Sequence, residues 1–478
     1  MFHKLYVAQA CLLLAAYGGC ARQRNYSVCR PVDASMPAPA EARRDSPSRS
    51  TASVPTEVAL ARYEDEPGPR ASPEQLPAGI PRQPPTVTEA LTLADLEKMA
   101  MSANPSVARA AALVQAASGN YTQVGLPPNP TVGYEGQQIG SRGLAEQDGV
   151  FVSQEIVRGG KLKLNRQVAA QEWARAEHEL AAQQQRVRTD VRIAFYDVLI
   201  AQSQEDLYGQ LVDSAKAIID YNERLQKAGE RSRPEIIQVM IEREKLVTGF
   251  RNAGRRWTAA WQELASVVGD PRLPQARLVG DADESHSSFD WDATLQRLLT
   301  SSPEIGAAIA NVERARWAVQ RALVEKIPNV TVQGLVNARD NGIGGRSDGS
   351  VTIGVPLPIW NRNQGGVTQA QGQVIAAERA LEQLELDLQN RLAAVFERYG
   401  NARDFEDRYE KLLKGLTDEW LKLNQQLQEG DEASQLDVIL FQRTYSQTKL
   451  DYLDALRERR KAEAEIEGLL LSGSLQAR

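Results

Sequence analysis

A chain of 478 residues with a net charge of −6, 42% apolar and 25% charged residues and a mean hydropathy of −0.41 has room for two or three ordinary domains. It contains no run near the roughly 20 apolar residues of a membrane-spanning helix, so any membrane-embedded part must be β. Basic residues are scattered rather than clustered with aromatics, which excludes a nucleic-acid footprint. The three histidines, His3, His178 and His286, have no metal-like spacing to one another or to Cys, so the sequence predicts no metal site, no cofactor and no enzyme.

The N-terminus has a basic start at His3 and Lys4, an apolar segment from Leu5 to Ala16, and Gly18-Gly19 directly before Cys20. This pattern predicts an export signal over 1–19. Cysteine after small residues is similar to the bacterial lipoprotein signal, which makes Cys20 the expected lipidation site; Tyr17 departs from the usual Leu, and ordinary signal cleavage is the plainer alternative. Residues 20–86 are rich in Pro, Ser, Ala and Arg, with no sustained apolar period, and are expected to form a disordered tether. Cys11 is lost with the signal, so Cys29 stays unpaired if Cys20 is acylated.

From Thr92 onward the elements come in two rounds. Thr92 and Asp95 mark a helix start; Pro105 interrupts, and a second helix runs to about Val124. Extended stretches follow at Pro130 to Gly136 and Val150 to Val157, joined by a polar loop. A proline-free helical stretch then runs from Gly160 to about Ala228, with apolar residues at helical spacing, which at 1.5 Å per residue is about 100 Å long. A polar break from Ala228 to Glu235 leads into a return helix ending at Val268.

The second round repeats this order. Trp291 to Leu299 is helical, Pro303 interrupts, and the helix continues to about Lys326. Extended stretches follow at Asn329 to Ala338 and Ser350 to Trp360, a long helix at Gly366 to Glu429, a break from Glu429 to Asp437, and a return helix to about Leu471. Pro128-Asn129-Pro130-Thr131-Val132 recurs as Pro328-Asn329-Val330-Thr331-Val332, and Gly159-Gly160 with Gln167-Val168 recurs as Gly365-Gly366 with Gln373-Val374. A tandem duplication of such a unit predicts an internally symmetric assembly rather than an enzyme pocket. The Gly342-Ile343-Gly344-Gly345 run lies in a hairpin loop and lacks the strand-to-helix context of a nucleotide site.

The strands alternate in character, as in Val330, Val332 and Val336 against Thr331, Gln333 and Asn337. Strands of about 9–11 residues suffice for a tilted outer-membrane barrel. Four strands cannot close one, so either several chains share a barrel or these are ordinary hairpins on a soluble protein. The long helices alone suit a generic coiled coil. At the breaks, Gly229 and Gly430 suit helix ends and Ser232 or Ser434 can cap the next helix, while Pro234, Glu235, Asp431, Glu432 and Asp437 are equally those of a solvated turn.

With these motifs, the chain from about Thr92 to Leu471 resembles the TolC family of outer-membrane efflux channels. The carrying residues are Asn104-Pro105 and Ser302-Pro303 before the rising helices, Gln154 through Lys161 around Gly159-Gly160, and Pro356-Leu357-Pro358-Ile359-Trp360-Asn361-Arg362-Asn363-Gln364-Gly365. The last resembles a signature of the CzcC-like heavy-metal efflux branch. The resemblance implies a mainly α fold with a small β part: three chains build a helical tunnel topped by a shared twelve-stranded transmembrane barrel, four strands per chain. It divides the chain into repeats at 87–268 and 291–471, with a linker at 269–290 and a tail at 472–478. It implies Gly229, Ser232, Pro234, Glu235, Gly430, Asp431, Glu432, Ser434 and Asp437 at the periplasmic tip, as gate and adaptor contact. Pro356 and Pro358 are expected at the bend from strand to helix. The implied partners are two further copies, a periplasmic adaptor protein, an inner-membrane pump of the RND type and outer-membrane lipid. The implied function is passive export of divalent heavy-metal cations across periplasm and outer membrane; export of organic compounds, or a pore-less structural envelope lipoprotein, are the competing readings.

Overall fold

The computed structural model describes residues 91–137, 147–227, 233–282, 288–340, 346–429 and 435–475; within these, side chains at 225, 235, 339–340, 420–421, 423–429 and 435–440 are outside the description. The chain divides into a unit over 1–82, outside the described residues, and one over 83–478. The second unit runs α1 (Leu93–Ala103), α2 (Pro105–Gln123), β1 (Thr131–Gln137), β2 (Gln147–Ile156), α3 (Lys161–Lys227), α4 (Arg233–Val268), α5 (Trp291–Ser301), α6 (Pro303–Val324), β3 (Val330–Asp340), β4 (Arg346–Gly354), α7 (Gln364–Glu429) and α8 (Gln435–Glu467).

Local chemistry sets the helix starts. At α1, Thr92 and Asp95 form a reciprocal capping box, which satisfies two amide donors left free at a helix end. At α2, Pro105 stands where a missing N–H costs nothing. Asn104 accepts from the Ser106 amide at 2.9 Å and donates to the Val267 carbonyl at 2.6 Å, so one side chain both starts α2 and fastens it to the end of α4. A β-carbon at Gly269 would lie 2.8 Å from Asn104 Cα, and Gly269 has φ +86°; glycine is required there by space and by backbone. The matching helix α6 has Ser302 at its cap but no side-chain cap bond, so the two rounds share a proline start and differ in the clasp.

The apolar stripes of the long helices bury against the short ones. Leu96, Val187, Val191, Val198, Leu264 and Val268 form a core among α1, α3 and α4. Leu298, Leu388, Leu392, Tyr399, Ala462 and Ile466 form its counterpart among α5, α7 and α8. A third cluster joins the rounds, with Ile200 of α3 against Leu413, Tyr452, Leu453 and Leu456. Each fully buried Leu or Val contributes about 1.5–3 kcal/mol. Beside these clusters, Arg459 is ion-paired to Glu406 and Glu463, and Arg460 to Glu463, all four of them buried. Buried charges are tolerated when so paired.

The four strands form one antiparallel sheet in the order β1-β2-β3-β4. The central pairing crosses the rounds, from Ile156 opposite Val330 to Gln147 opposite Asp340, with a register shift at Asp148/Gly149. The strands reach further into the polar loops than the sequence suggests, since β2 begins at Gln147, β3 continues to Asp340 and β4 begins at Arg346. At its other end β4 is shorter. It was expected to reach Trp360 but stops at Gly354, because Pro356 and Pro358 have no N–H for a ladder.

Candidate functional site

Register places the sheet's two faces apart. Val132 pairs with Val152, Tyr134 with Val150, Val150 with Val336, and Val332 with Ile353, so these residues share one face. It is open: Val132 is 69% and Val351 74% exposed. The opposite face carries Glu135, Ser153, Glu155, Thr331, Gln333, Asn337 and Thr352, and its side chains bond across strands. Gln333 donates to Glu135 at 3.3 Å and Asn337 to Asp348 at 2.7 Å. Phe151 and Leu335 are the apolar members of that face. β1 and β4 are the sheet's edges. A sheet with an exposed apolar face and two free edges is unstable alone in water.

Two junctions connect the sheet to the long helices. In the first, Gly159 and Gly160 take φ +71° and +67°, and Ile327 packs 3.0 Å from where a Gly159 β-carbon would stand. Asn329 closes this junction. Its side-chain oxygen accepts from the Arg158 amide at 3.3 Å and from Lys161 Nζ at 3.2 Å, and its amide donates to Glu155 at 2.7 Å. Lys161, 5% exposed, also pairs with Glu325 at 3.6 Å, and Arg321 pairs with the same carboxylate. Burial pushes the Glu325 carboxyl up, but Arg321 and Lys161 outweigh it and hold it below the usual range.

The second junction is the segment from Val355 to Asn363. Its turns are closed by hydrogen bonds: the Ile359 amide to the Leu357 carbonyl at 2.9 Å, the Arg362 amide to Gln364 at 2.9 Å, the Asn363 amide to Asn361 at 3.0 Å, and Gln364 to the Trp360 carbonyl at 3.1 Å. Asn363 takes φ +60° and donates to the Ala322 carbonyl of α6 at 2.9 Å. Pro356 and Pro358 lie past the strand, at the bend. Gln364 and Gly365 begin α7 instead of preceding it. The first helical bonds run from Leu164 to Gly160 and from Val367 to Asn363, so Asn363 plays the part of Gly160. Measured by the shared Gln-Val pairs, α7 therefore starts about one turn earlier than α3.

At the far end, Pro234 and Glu235 are the second and third residues of α4, and Asp437 is the third of α8. The two return helices thus carry a carboxylate residue at the same position of the first turn, where the helix dipole favours negative charge. Gly229, Ser232, Gly430, Asp431, Glu432, Ser434 and Cys20 lie outside the described residues. His178 is an exposed residue of α3. Among the described residues no helix is long and apolar enough to span a membrane.

The outer membrane efflux protein family matches residues 96–270 and 294–470 of this chain. The chain belongs to that family. It is an outer-membrane efflux channel protein and not an enzyme. It is 23% identical over 393 residues to the cobalt-zinc-cadmium resistance protein CzcC of Cupriavidus metallidurans, covering 82% of this chain and 92% of that one. Among solved structures it is similar to the outer membrane protein VceC of Vibrio cholerae, at 16% identity and a TM-score of 0.63 over 80% of this chain and 96% of that one. It is also similar to the open state of the MtrE outer membrane channel of Neisseria gonorrhoeae, at 16% identity and a TM-score of 0.66 over 80% and 89%. The expected resemblance, the mainly helical fold with a small β part and the channel class all hold.

Sequence reasoning found the Pro-Asn stretches but not the part of Asn329 as the knot of the first junction. The doubled motif was the available signal. Nor did it find the Glu304 bridge, in which one carboxylate of α6 pairs with Arg186 of α3 at 2.6 Å and Arg391 of α7 at 3.0 Å.

Proposed function

We propose that this protein is the outer-membrane component of a three-part efflux system: a homotrimeric, passive conduit that takes divalent heavy-metal cations across the periplasm and outer membrane. The observation that carries this reading is the four-stranded sheet, apolar on its exposed face, polar on the other, and open at β1 and β4. Three copies joined edge to edge give twelve strands, leave no edge, and turn the apolar face to lipid and the polar face to a lumen. Helices α3 and α7, 67 and 66 residues long, are each about 100 Å and continue the wall into the periplasm.

The cargo assignment is supported by the CzcC relative and by the motif Trp360 to Gly365. In this reading a periplasmic adaptor and an inner-membrane pump of the RND type meet the tips, where Gly229, Ser232, Pro234, Gly430, Asp431, Glu432 and Ser434 form the contact. Glu235 and Asp437 ring the narrow end and favour cations, and acylated Cys20 anchors the chain to lipid. Deleting the gene and measuring tolerance to zinc, cobalt, cadmium and organic drugs tests the cargo. Loss of metal tolerance alone supports the reading, and loss of drug tolerance alone overturns the metal assignment.

A further inference from the structure

The two junctions share a feature that the conduit does not use. Beyond the end of β4, the apolar alternation of Val351 and Ile353 continues through Val355, Leu357 and Ile359, and next to Ile359 stands Trp360, 85% exposed in the single chain. The hydrogen bonds that close this turn fix the backbone on both sides of the ring. The helix-side end of the same sheet carries five exposed cations: Arg158, Lys163 and Arg166 at the head of α3, Lys326 after α6, and Arg362 two residues after Trp360. Among the described residues, none of the five forms an ion pair. The two junctions adjoin, because Asn329 bonds to the Arg158 amide and Asn363 bonds to the Ala322 carbonyl, four residues before Lys326.

We propose that this collar, Trp360 with Arg158, Lys163, Arg166, Lys326 and Arg362, is a binding surface for the phosphate headgroups of anionic phospholipids in the inner leaflet of the outer membrane. Strands of 7–11 residues are about 23–36 Å long at 3.3 Å per residue, which a barrel tilt of about 35–45° reduces to a height of about 16–30 Å, a range that includes the roughly 25 Å of a barrel's apolar band. Their helix-side ends therefore lie at headgroup depth. An indole there places its ring against acyl chains and its N–H toward water, and guanidinium and ammonium groups meet phosphate. A protein occupant would have to bring carboxylates to match five cations, whereas headgroup phosphates lie at that level all round the barrel.

The inference rests on the sheet spanning the membrane as proposed above, and the test separates the two. The full-length protein is reconstituted in vesicles of phosphatidylethanolamine with phosphatidylglycerol, brominated either near the headgroup or at mid-chain. Headgroup-proximal bromine is expected to quench a fluorescence component that Trp360→Phe removes, with aqueous iodide leaving that component unquenched. In the Trp360→Phe background, Val152→Trp reports on the sheet itself and is expected to be quenched by mid-chain bromine. Absence of that quenching overturns the membrane reading; its presence, with Trp360 untouched by bromine or quenched by iodide, overturns only the collar. Replacing Arg158, Lys326 and Arg362 by Gln together is expected to reduce the enrichment of phosphatidylglycerol over phosphatidylethanolamine on the purified protein, each cation near an anionic surface being worth roughly 5-fold. Unchanged enrichment in the triple variant, with the trimer intact, also overturns the proposal.

Discussion

The side-chain oxygen of Asn329, at the head of β3, accepts a hydrogen bond at 3.2 Å from Lys161 Nζ, at the start of α3, across 168 positions of sequence. Asn329 also holds Arg158 and Glu155, so the strand of the second round is locked to the strand and helix of the first. Asn329→Ala leaves Lys161 buried with Glu325 alone, and a buried polar group deprived of its partner costs about 1–3 kcal/mol. Lower thermal stability of the purified protein is expected, by that amount in a reversible assay. The same change at Asn129, which is exposed in the matching stretch, is expected to be near neutral.

The two faces of the sheet predict opposite tolerances. Val152 is on the apolar face and Ser153 on the polar one. Val152→Arg places a charge in hydrocarbon at a cost of about 2–4 kcal/mol near the midplane and is expected to reduce the protein recovered from outer-membrane fractions. Ser153→Arg faces the lumen in the proposed barrel and is expected to leave recovery unchanged. Equal recovery of both variants contradicts the assignment of faces.

Glu304 ties the two long helices together through Arg186 and Arg391. Burial pushes its carboxyl up, but the hydrogen bonds and charges of Arg391 and Arg186 outweigh that and hold it below the reference value of 4.5. A carboxyl whose pKa is lower folded than unfolded adds stability above the unfolded value and loses it as pH falls through the folded one. Glu304→Gln is therefore expected to destabilise at neutral pH by roughly 1–3 kcal/mol, and the difference from the native protein is expected to shrink below about pH 4.5. Denaturant unfolding at a series of pH values measures this, and a pH-independent difference contradicts it.

Asp437 stands third in α8, as Glu235 stands third in α4. Neutralising the proposed ring with Asp437→Asn is expected to lower cation preference in reconstituted channels and to weaken its dependence on ionic strength. Unchanged selectivity removes Asp437 from the gate.

Much of this was legible in the sequence because it is local. The prolines at 105 and 303 punctuate helices by lacking an N–H, the Thr92-Asp95 pair caps at its expected spacing, and Val330, Val332 and Val336 reveal a face through period two. What escaped is relational. That β2 pairs with β3 across the rounds follows from three-dimensional closure, to which no pattern within either strand points. The Gly-Gly pairs look equivalent, yet Gly159-Gly160 stand before a helix with positive φ while Gly365-Gly366 lie inside one, because Asn363 takes over the left-handed position. The extended stretch read from Ser350 to Trp360 is a strand only as far as Gly354, where the two prolines that follow end the ladder. The Arg186–Glu304–Arg391 bridge joins three helices whose pairing depends on the packed bundle.

The central claim is that three copies of this chain make one pore. Purified full-length protein, run as an oligomer of defined mass and added to a planar lipid bilayer, tests it most directly. The account predicts a homotrimer resistant to heat in detergent that gives discrete, cation-preferring conductance steps. A monomer or dimer that leaves the bilayer silent contradicts it and favours a pore-less spacer.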